Sequence, residues 1–136
     1  MNTRTATQTR PADGLLRWAL RTDAAASGAI GAAGVLFGST LADPLGIPVA
    51  VSLPVGVLLL AYAGFVWLTA APARVRVPMA RAVIALNCLW VLLSVAYAAA
   101  TWSDLTALGA VFVLAQAAAV LAMADSQYLG LRRVSR

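Results

Sequence analysis

Four long apolar runs, bordered alternately by clusters of arginine and by connections without arginine, constrain this chain more than any other feature of its sequence. The two connections without arginine carry only acid, Asp43 in one and Asp104 in the other. Multi-pass membrane proteins keep an excess of basic residues in their cytoplasmic loops. The pattern therefore predicts four passes, with both termini and the middle loop in the cytoplasm. The basic clusters are Arg4, Arg10, Arg17 and Arg21, then Arg74, Arg76 and Arg81, then Arg132, Arg133 and Arg136.

The composition also favours a membrane protein. The 136 residues are 62% hydrophobic and 11% charged, whereas soluble domains are about 45–50% apolar and about 25% charged. Four spans of about 20 residues each leave only short loops and tails, with no room for a separate soluble catalytic domain. We therefore predict an all-α membrane fold, a four-helix transmembrane bundle in the cytoplasmic membrane.

The apolar runs and the breakers between them set the predicted boundaries. Residues 1–14 are polar and contain Pro11 and Gly14, which is typical of a disordered cytoplasmic tail. The bundle is predicted over 15–131 and a basic cytoplasmic tail over 132–136. A cleaved signal peptide ending near Ala42 is the competing interpretation of the first run. The predicted spans are about 22–41, 54–71, 79–100 and 105–125.

Prolines and polar residues indicate where the helices begin. The first external connection, 43–48, contains two prolines and a glycine and is predicted to be a turn. Residues 49–53 are interpreted as a short re-entrant or interfacial segment before Pro54, which is well placed to begin the second helix. Ser103 or Asp104 is predicted to cap the fourth helix.

Small residues in the first run indicate a packing surface. Four glycines lie within a stripe of about 120° on one side of a helix. Membrane helices associate by close contact along such small-residue grooves. The first helix is therefore predicted to be the most closely packed, through Gly28, Gly31, Gly34 and Gly38.

The inventory of reactive side chains excludes several classes of chemistry. Histidine is absent and Cys88 is the single cysteine. A bis-imidazole haem, a common zinc site and a catalytic triad all need histidine, and a disulfide needs a second cysteine. We expect no catalytic residue, no metal and no cofactor, and therefore a protein that is not an enzyme.

The few polar residues within the spans are the candidates for a binding site. Most belong by depth to the inner third of the bilayer. They predict a small pocket open to the cytoplasm, in which Asp23 supplies charge, Asn87 and Gln116 supply hydrogen bonds, and aromatic rings, Tyr62 among them, supply flat walls. The candidate ligand-binding residues are Asp23, Ser27, Trp67, Asn87, Trp90 and Gln116.

A structural interpretation of the same residues stands beside this one. Asp23 would pair with Arg21, with Arg81 or with a neighbouring helix, while Asn87 and Gln116 would fasten helices together by hydrogen bonds. A cavity beside Asp23 would favour a site, and contact with Arg81 with close packing would favour a structural role.

Three strings, LRWALRTDAAASG, ALNCLW and QYLGLRR, occur in that order across the four spans. With them the chain resembles a group of uncharacterised four-helix integral membrane proteins of GC-rich bacteria, and the resemblance implies the fold without an activity. In size and number of passes the chain is also similar to small multidrug transporters and to DoxX-like proteins. It lacks the membrane-embedded glutamate of the former, for which Asp23 is the nearest substitute.

The functional expectation is a non-enzymatic integral membrane protein, either an accessory or scaffold subunit or a binder of a small lipophilic ligand in an inner-leaflet pocket. The alternative is a small oligomeric transporter with Asp23 as the coupling or substrate-binding charge. The expected partners are the lipid bilayer and anionic lipids at the cytoplasmic face, with a homo-oligomer or a larger membrane complex as further options. The arginines flank apolar spans, so nucleic acid is not expected as a partner.

Overall fold

The structure, a computed structural model, describes residues 13–134. Each of its four helices is long and apolar enough to cross a membrane, which confirms the predicted all-α four-helix bundle and indicates a multi-pass membrane protein. The residues 1–12 of the predicted N-terminal tail lie outside the described part. The helices are α1 (Gly14–Leu45), α2 (Val49–Ala70), α3 (Val77–Ala100) and α4 (Ala107–Val134).

The first and last helices extend well beyond the predicted spans. Helix α1 has 32 residues, a length of about 48 Å at 1.5 Å per residue, against a hydrocarbon core of about 30 Å. Helix α4 continues through Arg132 and Arg133, which were predicted to belong to a separate tail. The bundle therefore projects past the apolar runs at the end where these arginines lie, called here the arginine end. The opposite end is called the far end.

Two of the predicted helix starts are wrong. Helix α2 begins at Val49 and not at Pro54, so the segment interpreted as re-entrant or interfacial is its first part. Helix α4 begins after Thr106, whose Oγ1 accepts a hydrogen bond from the Gly109 N–H at 3.0 Å. Thr106 therefore caps this helix in place of Ser103 or Asp104, because its hydroxyl reaches the third N–H of the helix.

The turn between α1 and α2 depends on one glycine. Gly46 has φ = 64°, in the left-handed region that glycine enters at little cost. Its N–H donates to the Asp43 carbonyl at 3.3 Å, which closes the end of α1. The turn lies against the start of α4, since Thr106 Oγ1 donates to the Pro44 carbonyl at 2.7 Å.

Helix α1 packs on both α2 and α4, and α3 packs on α4, whereas α2 and α3 scarcely touch. The four glycines of the predicted stripe all face α2. A Cβ placed on Gly31 would lie 2.9 Å from the Gly56 carbonyl oxygen, and one on Gly34 would lie 3.0 Å from the Ser52 carbonyl oxygen. Only residues without side chains permit this approach of two backbones, so the α1–α2 seam depends on glycine.

The arginine end is closed by side chains of α1. Arg17 donates to the carbonyls of Ala70, Pro72 and Ala73 in the α2–α3 connection, the last two at 2.7 and 3.0 Å. Its other partner is the Asp13 carboxylate at 2.7 Å. Arg17 thereby holds the middle loop against the start of α1. A cluster of buried apolar side chains, including Leu16, Leu20, Val66, Val83 and Leu131, lies next to this contact.

Candidate functional site

The Asp23 carboxylate lies at the point where all four helices meet. It is 3% exposed, and it receives a hydrogen bond from Ser27 Oγ at 3.2 Å, from Asn87 Nδ2 at 2.8 Å and from Gln127 Nε2 at 2.7 Å. Tyr62 Oη lies 3.0 Å from Asp23 Oδ2. One side chain from each helix thus contacts a single carboxylate, which we call the Asp23 cluster.

The neighbours of Asp23 also contact one another. Asn87 Nδ2 donates to Gln127 Oε1 at 3.1 Å, and Tyr62 Oη lies 2.8 Å from Asn87 Oδ1. The inward faces of the helices explain why these residues meet: Ser27 follows Asp23 by one turn, and each of the others lies on the buried or half-buried side of its own helix. The cluster therefore links all four helices through hydrogen-bonding side chains.

No arginine contacts Asp23 within residues 13–134. Arg21 and Arg81, the two arginines that the structural interpretation named as partners, are both exposed, whereas its third option, a neighbouring helix, is what Asp23 contacts. The ion pair that the described residues form is the one between Arg17 and Asp13. The carboxylate is thus surrounded by hydroxyl and amide groups alone. A charge in such a position within a membrane is costly and is typical of a functional group.

A second polar group lies about one turn further along α3. Trp90 Nε1 donates to Gln116 Oε1 at 2.8 Å, and Gln116 Nε2 donates to Ser94 Oγ at 2.9 Å and to the Val113 carbonyl at 3.0 Å. These contacts join α3 to α4. Gln116 and Gln127, both on α4, thus belong to separate polar groups.

Helices α2 and α3 are separated by a cleft. A cavity of about 350 Å³ lies between them, within the range of about 300–1,000 Å³ that is usual for ligand sites. A second cavity of about 570 Å³ continues toward the far end and shares Trp90 and Gln116 with the first. The mouth is formed by leucines that are largely exposed, such as Leu58 and Leu93. In a membrane this mouth faces the acyl chains.

The cleft has apolar walls and a polar floor near the Asp23 cluster. Ser27 of α1 and Gln116 of α4 lie at the floor, and Tyr62 and Asn87 bring the edge of the Asp23 cluster into it. A ligand in this cleft would therefore meet hydrocarbon along most of its length and hydroxyl or amide groups at one side. The apolar walls are formed by Leu58, Leu59, Phe65, Leu86, Leu89 and Leu93.

The structure separates the six predicted ligand-binding residues into three groups. Ser27, Asn87, Trp90 and Gln116 line the cleft. Asp23 lies behind them and has no surface in either cavity. Trp67, predicted to be a wall, is 55% exposed on another side of α2, because the step of five positions from the cleft-lining residue 62 to residue 67 turns the helix by about 140°. That part of the prediction is wrong.

Two residues have a larger role than the sequence indicated. Tyr62 was expected as a flat wall, but its hydroxyl contacts both Asp23 and Asn87. Gln127 was not among the predicted ligand-binding residues, and it is fully buried against Asp23. The available signal was polarity inside an apolar run, which marks a residue as inward-facing without naming its partner.

The chain matches no family model, no curated protein and no solved structure.

Proposed function

We propose that this chain is a non-enzymatic integral membrane protein of the cytoplasmic membrane that binds a small lipophilic molecule in the α2–α3 cleft. The observation that carries the proposal is the cleft itself, about 350 Å³ of space between two helices of the same bundle. Helices α2 and α3 are held apart over most of their length, although apolar helices in a membrane can approach closely. A ligand, or lipid in its place, occupies this space in the membrane.

The chemistry of the lining supports a ligand with a long apolar body and a small polar end. Leucines and Phe65 form the walls, so the body is a hydrocarbon chain or a flat ring system. Tyr62, Asn87 and Gln116 lie at the polar side, where a hydroxyl, carbonyl or amine of the ligand is within reach of hydrogen-bonding groups. No positively charged side chain lines either cavity, so a phosphate headgroup is disfavoured.

The orientation in the membrane belongs to the same proposal. The arginines at the arginine end lie in the cytoplasm, where anionic lipid headgroups attract basic residues by about 1 kcal/mol each. The Asp23 cluster then lies in the inner half of the bilayer, and the polar side of the cleft faces the inner leaflet. Accordingly, the ligand enters sideways from the acyl-chain region of the inner leaflet.

Fluorescence of Trp90 tests ligand binding directly. A variant in which the exposed Trp18, Trp67 and Trp102 are replaced by phenylalanine keeps Trp90, which lines the cleft, as the single tryptophan. In lipid nanodiscs we expect a brominated long-chain alcohol to quench Trp90 in a saturable manner. Ala61→Phe, which fills the cleft, should weaken this binding at least about tenfold, which corresponds to about 1.4 kcal/mol.

The matched control is Ala85→Phe on α3, because Ala85 is exposed and lines neither cavity. It should leave the saturable quenching unchanged. Quenching that rises linearly with the brominated alcohol, or that is equal in both phenylalanine variants, would mean partition into bulk lipid. That result would contradict the proposal and would leave an accessory or scaffold role.

One observation favours a second candidate, a small oligomeric transporter. Asp23 is a buried carboxylate that contacts all four helices and has no cationic partner among the described residues, so it is available as a coupling charge. In proteoliposomes, Asp23→Asn should then abolish a pH-dependent flux of a lipophilic amine, whereas Asp125→Asn, at an exposed position of α4, should retain it. Equal flux in the wild-type protein and in empty vesicles would exclude this function.

A further inference from the structure

The contacts around Asp23 require one proton more than its neighbours supply. Six donor–acceptor distances of 3.2 Å or less join Asp23, Ser27, Tyr62, Asn87 and Gln127. Ser27 and Tyr62 have one hydroxyl proton each, the Asn87 amide uses both of its protons, and Gln127 uses one of its two. Five protons thus serve six contacts.

The two amides cannot be turned over to supply the difference. If Asn87 were flipped, its oxygen would face Asp23 Oδ2 and Gln127 Oε1, which are both acceptors. If Gln127 were flipped, its oxygen would face Asp23 Oδ2. The contact that lacks a proton is therefore one of the two made by the phenol, because Tyr62 Oη has one proton and two acceptors, Asp23 Oδ2 at 3.0 Å and Asn87 Oδ1 at 2.8 Å.

We propose that Asp23 is a reversible proton-binding site. The hydrogen bond between Tyr62 and Asp23 changes direction when Asp23 binds a proton. A proton from water forms an O–H bond at Asp23 Oδ2 and neutralises the carboxylate. That O–H then donates to Tyr62 Oη, and Tyr62 donates to Asn87 Oδ1, so that each of the six contacts has one proton. When the proton leaves Asp23, Tyr62 donates its hydroxyl proton to Asp23. The contact between Tyr62 Oη and Asn87 Oδ1 is then left without a proton.

The surroundings of Asp23 suit a site whose charge changes. Tyr62 of α2 is the titratable side chain that contacts it, and the neighbours from α1, α3 and α4 are a neutral hydroxyl and two neutral amides. The nearest charged side chains along the helices, Arg21, Arg81 and Asp125, are exposed. Among the described residues, no cation pairs with this carboxylate to hold it permanently ionised.

The proton site and the cleft share two residues. Tyr62 and Asn87 line the cleft, so the direction in which the phenol donates changes with the proton on Asp23. A ligand that hydrogen-bonds to Tyr62 then binds differently to the two states. This linkage rests on the proposed ligand-binding function, whereas proton binding by Asp23 does not.

Infrared difference spectroscopy of the protein in nanodiscs, without added ligand, tests the proton site. We expect the carbonyl stretch of a protonated carboxylic acid at low pH, its replacement by carboxylate bands as the pH rises, and the usual downshift of the acid band in D₂O. Asp23→Asn should remove the part of this band that comes from the buried site, and Asp125→Asn should retain it. An unchanged acid band in Asp23→Asn would assign the whole band to other carboxyl groups and overturn the proposal.

A second pair of variants keeps the test decisive if Asp23→Asn fails to fold. Tyr62→Phe removes the phenol that reverses its bond, so it should move the midpoint of the acid band, whereas Tyr128→Phe, at an exposed position, should not. The proposal is overturned by an acid band that is absent, or that does not respond to pH, wherever circular dichroism reports intact helices. It is equally overturned by a midpoint that follows sodium concentration at constant ionic strength, since that would indicate a cation site.

Discussion

The two faces of α2 show how differently two helix contacts can be built in one bundle. Toward α1, glycines allow the backbones to approach until a Cβ on Gly56 would lie 2.8 Å from the Gly31 carbonyl oxygen. Toward α3, large side chains such as Leu58 and Phe65 border an open cleft, which the hydroxyl of Tyr62 bridges to Asn87 at 2.8 Å. The first face contributes stability by packing, and the second leaves space and contributes polar groups.

The physical reason is the absence of a hydrophobic driving force between helices that are already surrounded by lipid. Contact between helices must come from van der Waals packing or from hydrogen bonds. Small residues permit the former, and they are concentrated on the α1 side of α2. The α3 side has large apolar residues, which gain little free energy by leaving lipid. A lipid-accessible cleft on that side therefore costs little stability.

The largest loss of stability should follow from placing a large side chain in the glycine seam between α1 and α2. Gly31→Leu places a Cβ 2.9 Å from the Gly56 carbonyl oxygen and 3.0 Å from the Leu60 nitrogen, and neither backbone can yield without a shift of the helix. We expect a loss of about 3 kcal/mol in the free energy of unfolding, at the upper end for overpacked sites. Titration of the protein with sodium dodecyl sulfate in mixed micelles measures it.

The control for the seam is Gly64→Leu, because a Cβ at Gly64 meets nothing within 4 Å. Its unfolding should be close to that of the wild-type protein. Equal stability of the two leucine variants would remove the distinction between the two faces of α2.

An intermediate effect should follow from removing the polar bridge. Asn87→Leu keeps the side-chain size but deletes the contacts with Asp23, Tyr62 and Gln127. Hydrogen bonds between membrane helices contribute about 0.6 kcal/mol each on average, so we expect a loss of about 2 kcal/mol. The same detergent titration measures it, with Ser126→Ala as the control, since the Ser126 hydroxyl bonds only within its own helix. An unfolding curve equal to that of the wild type would mean that the bridge adds no stability.

The smallest effect should come from the second polar group. Trp90→Phe preserves an aromatic ring and removes the N–H that donates to Gln116 Oε1 at 2.8 Å. We expect a loss of about 0.6 kcal/mol in the free energy of unfolding, measured by thermal circular dichroism and detergent titration together. Trp102→Phe, at a position 63% exposed, is the matched change and should have no effect. A larger loss for Trp90→Phe than for Asn87→Leu would reverse the order assigned to the two polar groups.

Much of the fold could be predicted because it depends on local composition. Apolar runs of sufficient length between arginine clusters predict four spans, and the glycines of the first run indicate the side that packs closely. The helix ends were less predictable. Pro54 is typical of a helix start, yet α2 begins at Val49, because a proline within the early turns removes one backbone N–H without ending the helix.

The candidate site could be predicted only as a set of inward-facing polar residues. Asp23, Ser27 and Asn87 were expected near one another, and they do meet. The wrong assignment of Trp67 and the underestimated Tyr62 have one cause. The role of a side chain on α2 depends on whether it faces α1, α3 or lipid. The sequence of α2 alone does not indicate on which sides these neighbours lie.

The amino-acid sequence by itself determined the helical class, the number of membrane-spanning helices and the seam-forming glycines, because each depends on the composition of one segment and on helical periodicity. The tertiary structure alone decided which helices touch. In that structure Tyr62 and Gln127 contact Asp23, Asp23 forms no ion pair with a described arginine, and a cleft lies between α2 and α3. These features depend on contacts between segments that are distant in the chain, and such contacts are set by the packing of the whole bundle.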